Sequence, residues 1–137
     1  MRTDESGKQA RRILVVDHNP SVREGLCAFL SLVPGIEVIG QAVGIADAVR
    51  LASALHPDAI LLDLDMPNDE GYRAGGLIGS ELPECRLVAL AVHGLEEERE
   101  RALQAGFDFF VTKGAPLEAL IEAILSAPAR PNRGGTP

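Results

Sequence analysis

Three short stretches of the sequence are apolar at every position: ILVV at residues 13–16, AILL at 59–62 and LVALA at 87–91. A strand wetted on one side alternates apolar with polar residues, whereas one that is apolar throughout must be covered on both faces. Runs at 37–43 and 109–112 complete a set of five. Longer segments with helical spacing lie between and after them. Five strands alternating with five helices imply βαβ crossovers, and so an α/β fold with one parallel sheet between two helical layers.

The helical segments carry their own start and stop signals. Asn19 or Asp17 can cap a first helix that opens on Pro20, with Val22, Leu26, Phe29 and Leu30 as its apolar stripe. A second spans residues 45–55 and ends at His56-Pro57, because the residue before proline avoids the helical region. A fourth, over 95–105, should turn Leu95, Ala102 and Leu103 inward and its EEERER run outward, with Gly106 as its stop. Pro116 opens the fifth, which places Leu117, Leu120, Ile121, Ile124 and Leu125 on one side. The third, about 71–82, holds Gly75, Gly76 and Gly79. Each costs about 1 kcal/mol relative to alanine in a helix interior, which predicts a short, frayed or irregular element.

Composition narrows the function classes. The chain is 46% apolar and 24% charged, the mix of an ordinary globular domain. Thirteen basic against 20 acidic residues give a net charge of −7, which repels phosphate backbones, so these residues alone are not expected to bind nucleic acid. No apolar run reaches the roughly eighteen residues of a membrane span, and no leader peptide is expected at the start. Cys27 and Cys85 have no CxxC spacing, which argues against a metal or redox framework and for a reduced, cytoplasmic chain. Cys27 falls on the inward stripe of the first helix and Cys85 in a loop. Residues 1–11 and 127–137 lack an apolar period and read as disordered or linker segments flanking a domain over 12–126.

In a parallel sheet of this kind the functional crevice lies beyond the carboxyl ends of the strands. Asp17 and His18 follow the first run, Asp63 the third, Ala91 closes the fourth and Lys113 follows the fifth. Two carboxylates and an ammonium should therefore converge at one edge. Asp17 could instead cap a helix; Asp63 stands too early in the chain to cap the helix near Gly71.

The stretches ILVVDHNPSVREGL, DAILLDLDMPNDEGY and AGFDFFVTKGAP, in that order and spacing, resemble a bacterial response-regulator receiver domain. VREGL and TKGAP are most similar to the subgroup whose receivers precede a helix-turn-helix output domain. The resemblance implies a flavodoxin-like (βα)5 sandwich with strand order 2-1-3-4-5, one of the two common orders of doubly wound sheets. It implies that Asp63 accepts a phosphoryl group from a histidine kinase, and that Lys113 contacts the phosphoryl oxygens. Asp17, Asp63 and the backbone carbonyl of Asp65 would surround a Mg²⁺ ion. Any chemistry is then limited to assisting transfer onto its own Asp63. The implied signalling face runs over residues 95–125, for a kinase, another signalling protein or a second copy of the chain.

Two positions depart from the family pattern. Receivers usually carry a second acid, a direct metal ligand, where this chain has His18. Imidazole is a poor ligand for hard Mg²⁺, which predicts weak Mg²⁺ binding unless His18 simply points to solvent. Receivers also place Thr or Ser where Ala91 stands. A hydrogen bond from that hydroxyl to a charged group is worth about 1.5–3 kcal/mol, comparable to a whole allosteric coupling. Phe110 keeps the ring of the family's mobile aromatic, without a hydroxyl. The expectation is an atypical receiver with slow or absent phosphorylation; the alternative is a conventional one, phosphorylated on Asp63. A flavin carrier would need a Ser/Thr/Gly-rich phosphate cradle where DHNPS stands. A hydrolase would need a GxSxG elbow that is missing. His93 near Ala91 could join His18 around a soft metal.

Overall fold

The computed structural model describes residues 10–125. The segments expected to be disordered, 1–11 and 127–137, lie almost wholly outside that range. Strands β1 (Arg11–Val16), β2 (Ile36–Ala42), β3 (Ala59–Asp63), β4 (Arg86–Ala91) and β5 (Phe109–Thr112) alternate with helices α1 (Pro20–Leu30), α2 (Ile45–Leu55), α3 (Glu70–Glu81), α4 (Glu96–Gln104) and α5 (Leu117–Leu125). The strands form one sheet in the order β2-β1-β3-β4-β5, every pairing parallel. Strand β1 begins at Arg11, one residue before the expected domain boundary, and β2 one residue earlier than the apolar pattern suggested.

Alternation along the strands sorts their side chains into two cores. Leu14, Val16, Ile60, Leu62, Leu87 and Ala89 pack with residues of α2, α3 and α4 on one face. Ile13, Val15, Leu61, Val88 and Leu90 pack with Cys27 and Leu30 of α1 and Leu120 and Ile124 of α5 on the other. These three layers account for the all-apolar runs: β3 and β4 are buried at every position. Among the described residues no helix is long and apolar enough to cross a membrane.

The third helix corrects the sequence expectation. It is a continuous element of 12 residues, neither short nor frayed. Its glycines permit contacts that a side chain would block. A Cβ on Gly71 would overlap the Asp63 carbonyl oxygen, and one on Gly75 would stand 2.5 Å from the Phe107 ring. Close packing on β3 and Phe107 offsets the helix-propensity cost. The fourth helix needs a second correction: Ala102 is buried as expected, but Leu95 and Leu103 are 54% and 52% exposed. The helix meets the core along a narrow line at Ala102, which leaves the flanking leucines in solvent.

Helix α1 settles its own cap. The Asn19 side chain accepts from the Val22 amide at 3.1 Å, while Asp17 is used elsewhere. Asn19→Ala should therefore cost about 0.5–2 kcal/mol. A urea titration monitored by circular dichroism measures this, and an unchanged midpoint would remove the assigned cap.

Candidate functional site

The carboxyl edge of the sheet gathers the charged side chains. Asp17 extends the β1 ladder by one residue, its amide donating to Ala42 O of β2 at 3.1 Å. The chain then turns, and Asp17 Oδ1 accepts from the Asn19 amide at 2.9 Å. Asp63 is the last residue of β3. Its Oδ1 accepts from the Asp65 amide at 2.9 Å, so the turn after the strand fixes the carboxylate in place. Lys113 is anchored through its backbone amide to Ala91 O of β4 at 2.7 Å.

These backbone anchors bring the three charges together. Lys113 Nζ lies 3.0 Å from Asp63 Oδ1 and 3.2 Å from Asp17 Oδ2. Both carboxylates are fully buried, while the lysine side chain retains 21% exposure. Burial pushes Asp17 above the usual carboxylate range; the Asn19 amide pulls it down, and the Asp63 charge pushes it up again. Burial raises Asp63 too, but the Asp65 amide, Lys113 and His18 together hold it below that range. Lys113 is lowered by burial, yet its bond to Asp63 and the charges of the two acids leave it above the ordinary lysine value. Asp63 is thus an ionised carboxylate at neutral pH, with an ammonium beside it.

His18 does not point away into solvent. Its Nδ1 lies 2.9 Å from Asp63 Oδ2 and 3.8 Å from Asp17 Oδ1, although the side chain is 45% exposed. Both oxygens of Asp63 are therefore engaged. Asp17, His18 and Asp63 form a group whose ligand atoms all lie within 4.8 Å of one another. His93, a candidate partner of His18 around a soft metal, is exposed and stands outside that group. His56 is the C-cap of α2 in the left-handed conformation and is not a member of the group either. Ala91 is fully buried at the end of β4. Phe110 is half-buried against the core on the α2–α4 side, with the Arg99 guanidinium 5.9 Å from its ring centre. Cys27 is buried as the stripe implied, and Cys85, in its loop, is buried in the other core.

Two connections escaped the sequence. Asp65 Oδ2 accepts from the Val92 amide at 2.7 Å, tying the loop after β3 to the loop after β4. Arg101 of α4 stacks on the Tyr72 ring at 3.9 Å and pairs with Asp69 at 2.9 Å. Asp69 and Asn68 both adopt positive φ, which aims the Asp69 carboxylate back toward α4. The EEERER run reads as a solvated face because nothing in its pattern marks one arginine as spoken for.

Comparison with known proteins supplies the family context. The pattern of a family described as the response regulator receiver domain matches residues 13–125. The response regulator GacA of Pseudomonas aeruginosa is 35% identical over 113 residues, which are 82% of this chain and 53% of that protein. A LuxR-family two-component response regulator from Aurantimonas superposes with a TM-score of 0.80 at 30% identity, covering 85% of this chain and 83% of the other. A response regulator from Burkholderia pseudomallei, solved with a phosphorylated aspartic acid, a calcium ion and citrate, gives a TM-score of 0.76 at 26% identity. The shares covered there are 85% of this chain and 67% of the other. The chain spans about half the length of the curated relatives it matches.

Proposed function

Because this chain belongs to the response regulator receiver domain family of two-component signalling, we propose that it is an atypical receiver. Asp63 is its phosphoacceptor, and metal-assisted phosphorylation and switching are impaired. The observation that carries this is the 2.9 Å contact between His18 Nδ1 and Asp63 Oδ2. An imidazole occupies the acceptor's second oxygen at the place where the family supplies an acid.

In the transfer, a carboxylate oxygen of Asp63 forms a bond to phosphorus while the donor's leaving group departs with its bonding electron pair. Such chemistry is chiefly positioning and charge neutralisation. The Asp65 amide orients the carboxylate, and Lys113 neutralises the incoming phosphoryl oxygens. The phosphorylated aspartic acid of the Burkholderia pseudomallei relative supports an acceptor in this fold.

The donor set does not suit Mg²⁺. That ion favours a near-ideal octahedron of oxygens. Here one of three side-chain donors is an imidazole nitrogen already bonded to Asp63, with an ammonium 3.0–3.2 Å from the two acids. With Asp17, Asp63 and the Asp65 carbonyl as the oxygen donors that remain, Mg²⁺ binding is weak. Ala91 then offers no hydroxyl to a phosphoryl group, so the pull on the loop toward α4 is missing, and Phe110 stays where it packs. The output is carried by a protein partner, a kinase or another signalling protein, on the face of residues 95–125. Leu95, Leu103 and Leu117 are exposed there.

Incubation with a small phosphodonor and Mg²⁺, followed by intact-mass measurement, tests this. The native chain should gain little phosphoryl. His18→Asp with Ala91→Thr should gain it about 10- to 100-fold faster, the scale of one or two charge-assisted interactions. Rapid stoichiometric labelling of the native chain, abolished by Asp63→Asn, would make it a conventional receiver.

A further inference from the structure

The mismatch with Mg²⁺ has a positive counterpart. We propose that Asp17, His18 and Asp63 form a binding site for a borderline transition-metal dication, of the Ni²⁺ or Zn²⁺ class, in preference to Mg²⁺. This rests on the identification of the Asp63 edge as the functional site, but not on whether Asp63 is phosphorylated.

Three observations converge on it. The donors are one imidazole nitrogen and two carboxylates, and Nδ1 of His18 is 2.9 Å from Asp63 Oδ2 and 3.8 Å from Asp17 Oδ1. Donors held about 2.0–2.2 Å from a shared ion stand roughly 3–4 Å from one another, so small adjustments suffice to place all three around one cation. Second, Asp17 Oδ2 is buried and accepts no hydrogen bond. Lys113 Nζ, its charged neighbour at 3.2 Å, is shared with Asp63 Oδ1 at 3.0 Å. One ammonium divided between two buried carboxylates leaves that oxygen without a cation of its own, which a bound dication would supply. Third, two buried carboxylates face one ammonium, so the cluster holds an excess of negative charge.

Ligand chemistry then sets the class of ion. Imidazole suits Zn²⁺, Cu²⁺ and Ni²⁺, whereas Mg²⁺ selects carboxylate, carbonyl and water oxygens. His18 is also half-exposed, which leaves an entry path and open positions for water. Neither His93 nor the cysteines take part: His93 is exposed and outside the cluster, and both cysteines lie in the cores.

Calorimetric titration of the metal-free chain with Ni²⁺ and, separately, with Mg²⁺ tests the preference, on the native protein, His18→Asp and His18→Asn. The native chain should bind one Ni²⁺ at least about 100-fold more tightly than Mg²⁺, in line with the affinity order of N/O sites. His18→Asp should weaken Ni²⁺ at least about tenfold and strengthen Mg²⁺ by a similar factor, inverting the trend by exchanging nitrogen for oxygen. His18→Asn should weaken Ni²⁺ without any gain for Mg²⁺. Circular dichroism establishes that each variant is folded. Ni²⁺ affinity unchanged in both variants, as binding at His56 or His93 would give, overturns the proposal. So does native binding of Mg²⁺ as tight as Ni²⁺. Ni²⁺ affinity unchanged in the variants overturns this proposal alone. Rapid phosphoryl labelling of the native chain overturns only the reading of impaired phosphorylation, and tight Mg²⁺ binding counts against both.

Discussion

Replacing Lys113 with methionine should lower the unfolding free energy by about 3–5 kcal/mol at neutral pH, the usual cost of removing one partner from a buried ion pair. Methionine keeps much of the apolar stem, so the loss isolates the charge. Asp17 and Asp63 are fully buried, and Lys113 Nζ lies within 3.2 Å of both. Without it they repel one another with both carboxylates buried.

The pH dependence follows from the directions of the shifts. Asp63 is held below the ordinary aspartate value, so its stabilising share is complete above about pH 4 and is lost as the pH falls through its depressed folded value. Asp17 is held above that value, so its share is present at low pH and is lost as the pH rises through its elevated folded value. Lys113 is raised, so its share persists up to about pH 10 and is lost as the pH climbs through its folded value. In Lys113→Met both acids lack the ammonium and titrate higher than in the native chain, so the variant loses less stability on acidification. The gap between native and variant chains should be widest near pH 7 and should close toward pH 4. Urea midpoints at pH 7 and pH 4 measure it. Equal midpoints at pH 7 would show that Lys113 does not balance the two acids.

The second large effect lies in α3. Gly71→Ala should destabilise the fold by about 1–3 kcal/mol, because the new methyl meets the Asp63 carbonyl oxygen, which is backbone and cannot rotate aside. The helix must lift off β3, and that movement disturbs Asp63 itself. Gly76→Ala should do the opposite. It is exposed, and a methyl group there would meet nothing within 4 Å, so the helix gains about 0.4–1 kcal/mol. The pair measures two signs of one substitution, five residues apart on one helix. Equal changes in urea midpoint for both would show that packing against β3 does not decide the position of α3.

The same helix shows where sequence reasoning stops. Propensity counts each glycine as a cost and cannot count a contact with a strand carbonyl or an aromatic ring. Gly75 against Phe107, residues far apart in the chain, is such a contact. Leu95 and Leu103 fail for a related reason. Helical spacing identifies a stripe, but the tertiary contact at Ala102 is narrower than the stripe. Arg101 on Tyr72 and Asp69 depends on two positive-φ residues that no pattern announces.

The sequence by itself determined the layers, the parallel sheet and the edge where chemistry belongs. Runs buried on both faces and alternating with helical segments point to a parallel sheet, and in a parallel sheet the residues just past the strand ends share one rim. The convergence of Asp17, Asp63 and Lys113 was legible for that reason. Tertiary structure alone decided how the rim is wired. Whether His18 faces solvent or Asp63 is a choice between side-chain rotamers, and its answer depends on a carboxylate 45 residues away in the chain. Local sequence carries no information about that distance; only the folded backbone, by fixing both strand ends, sets it at 2.9 Å.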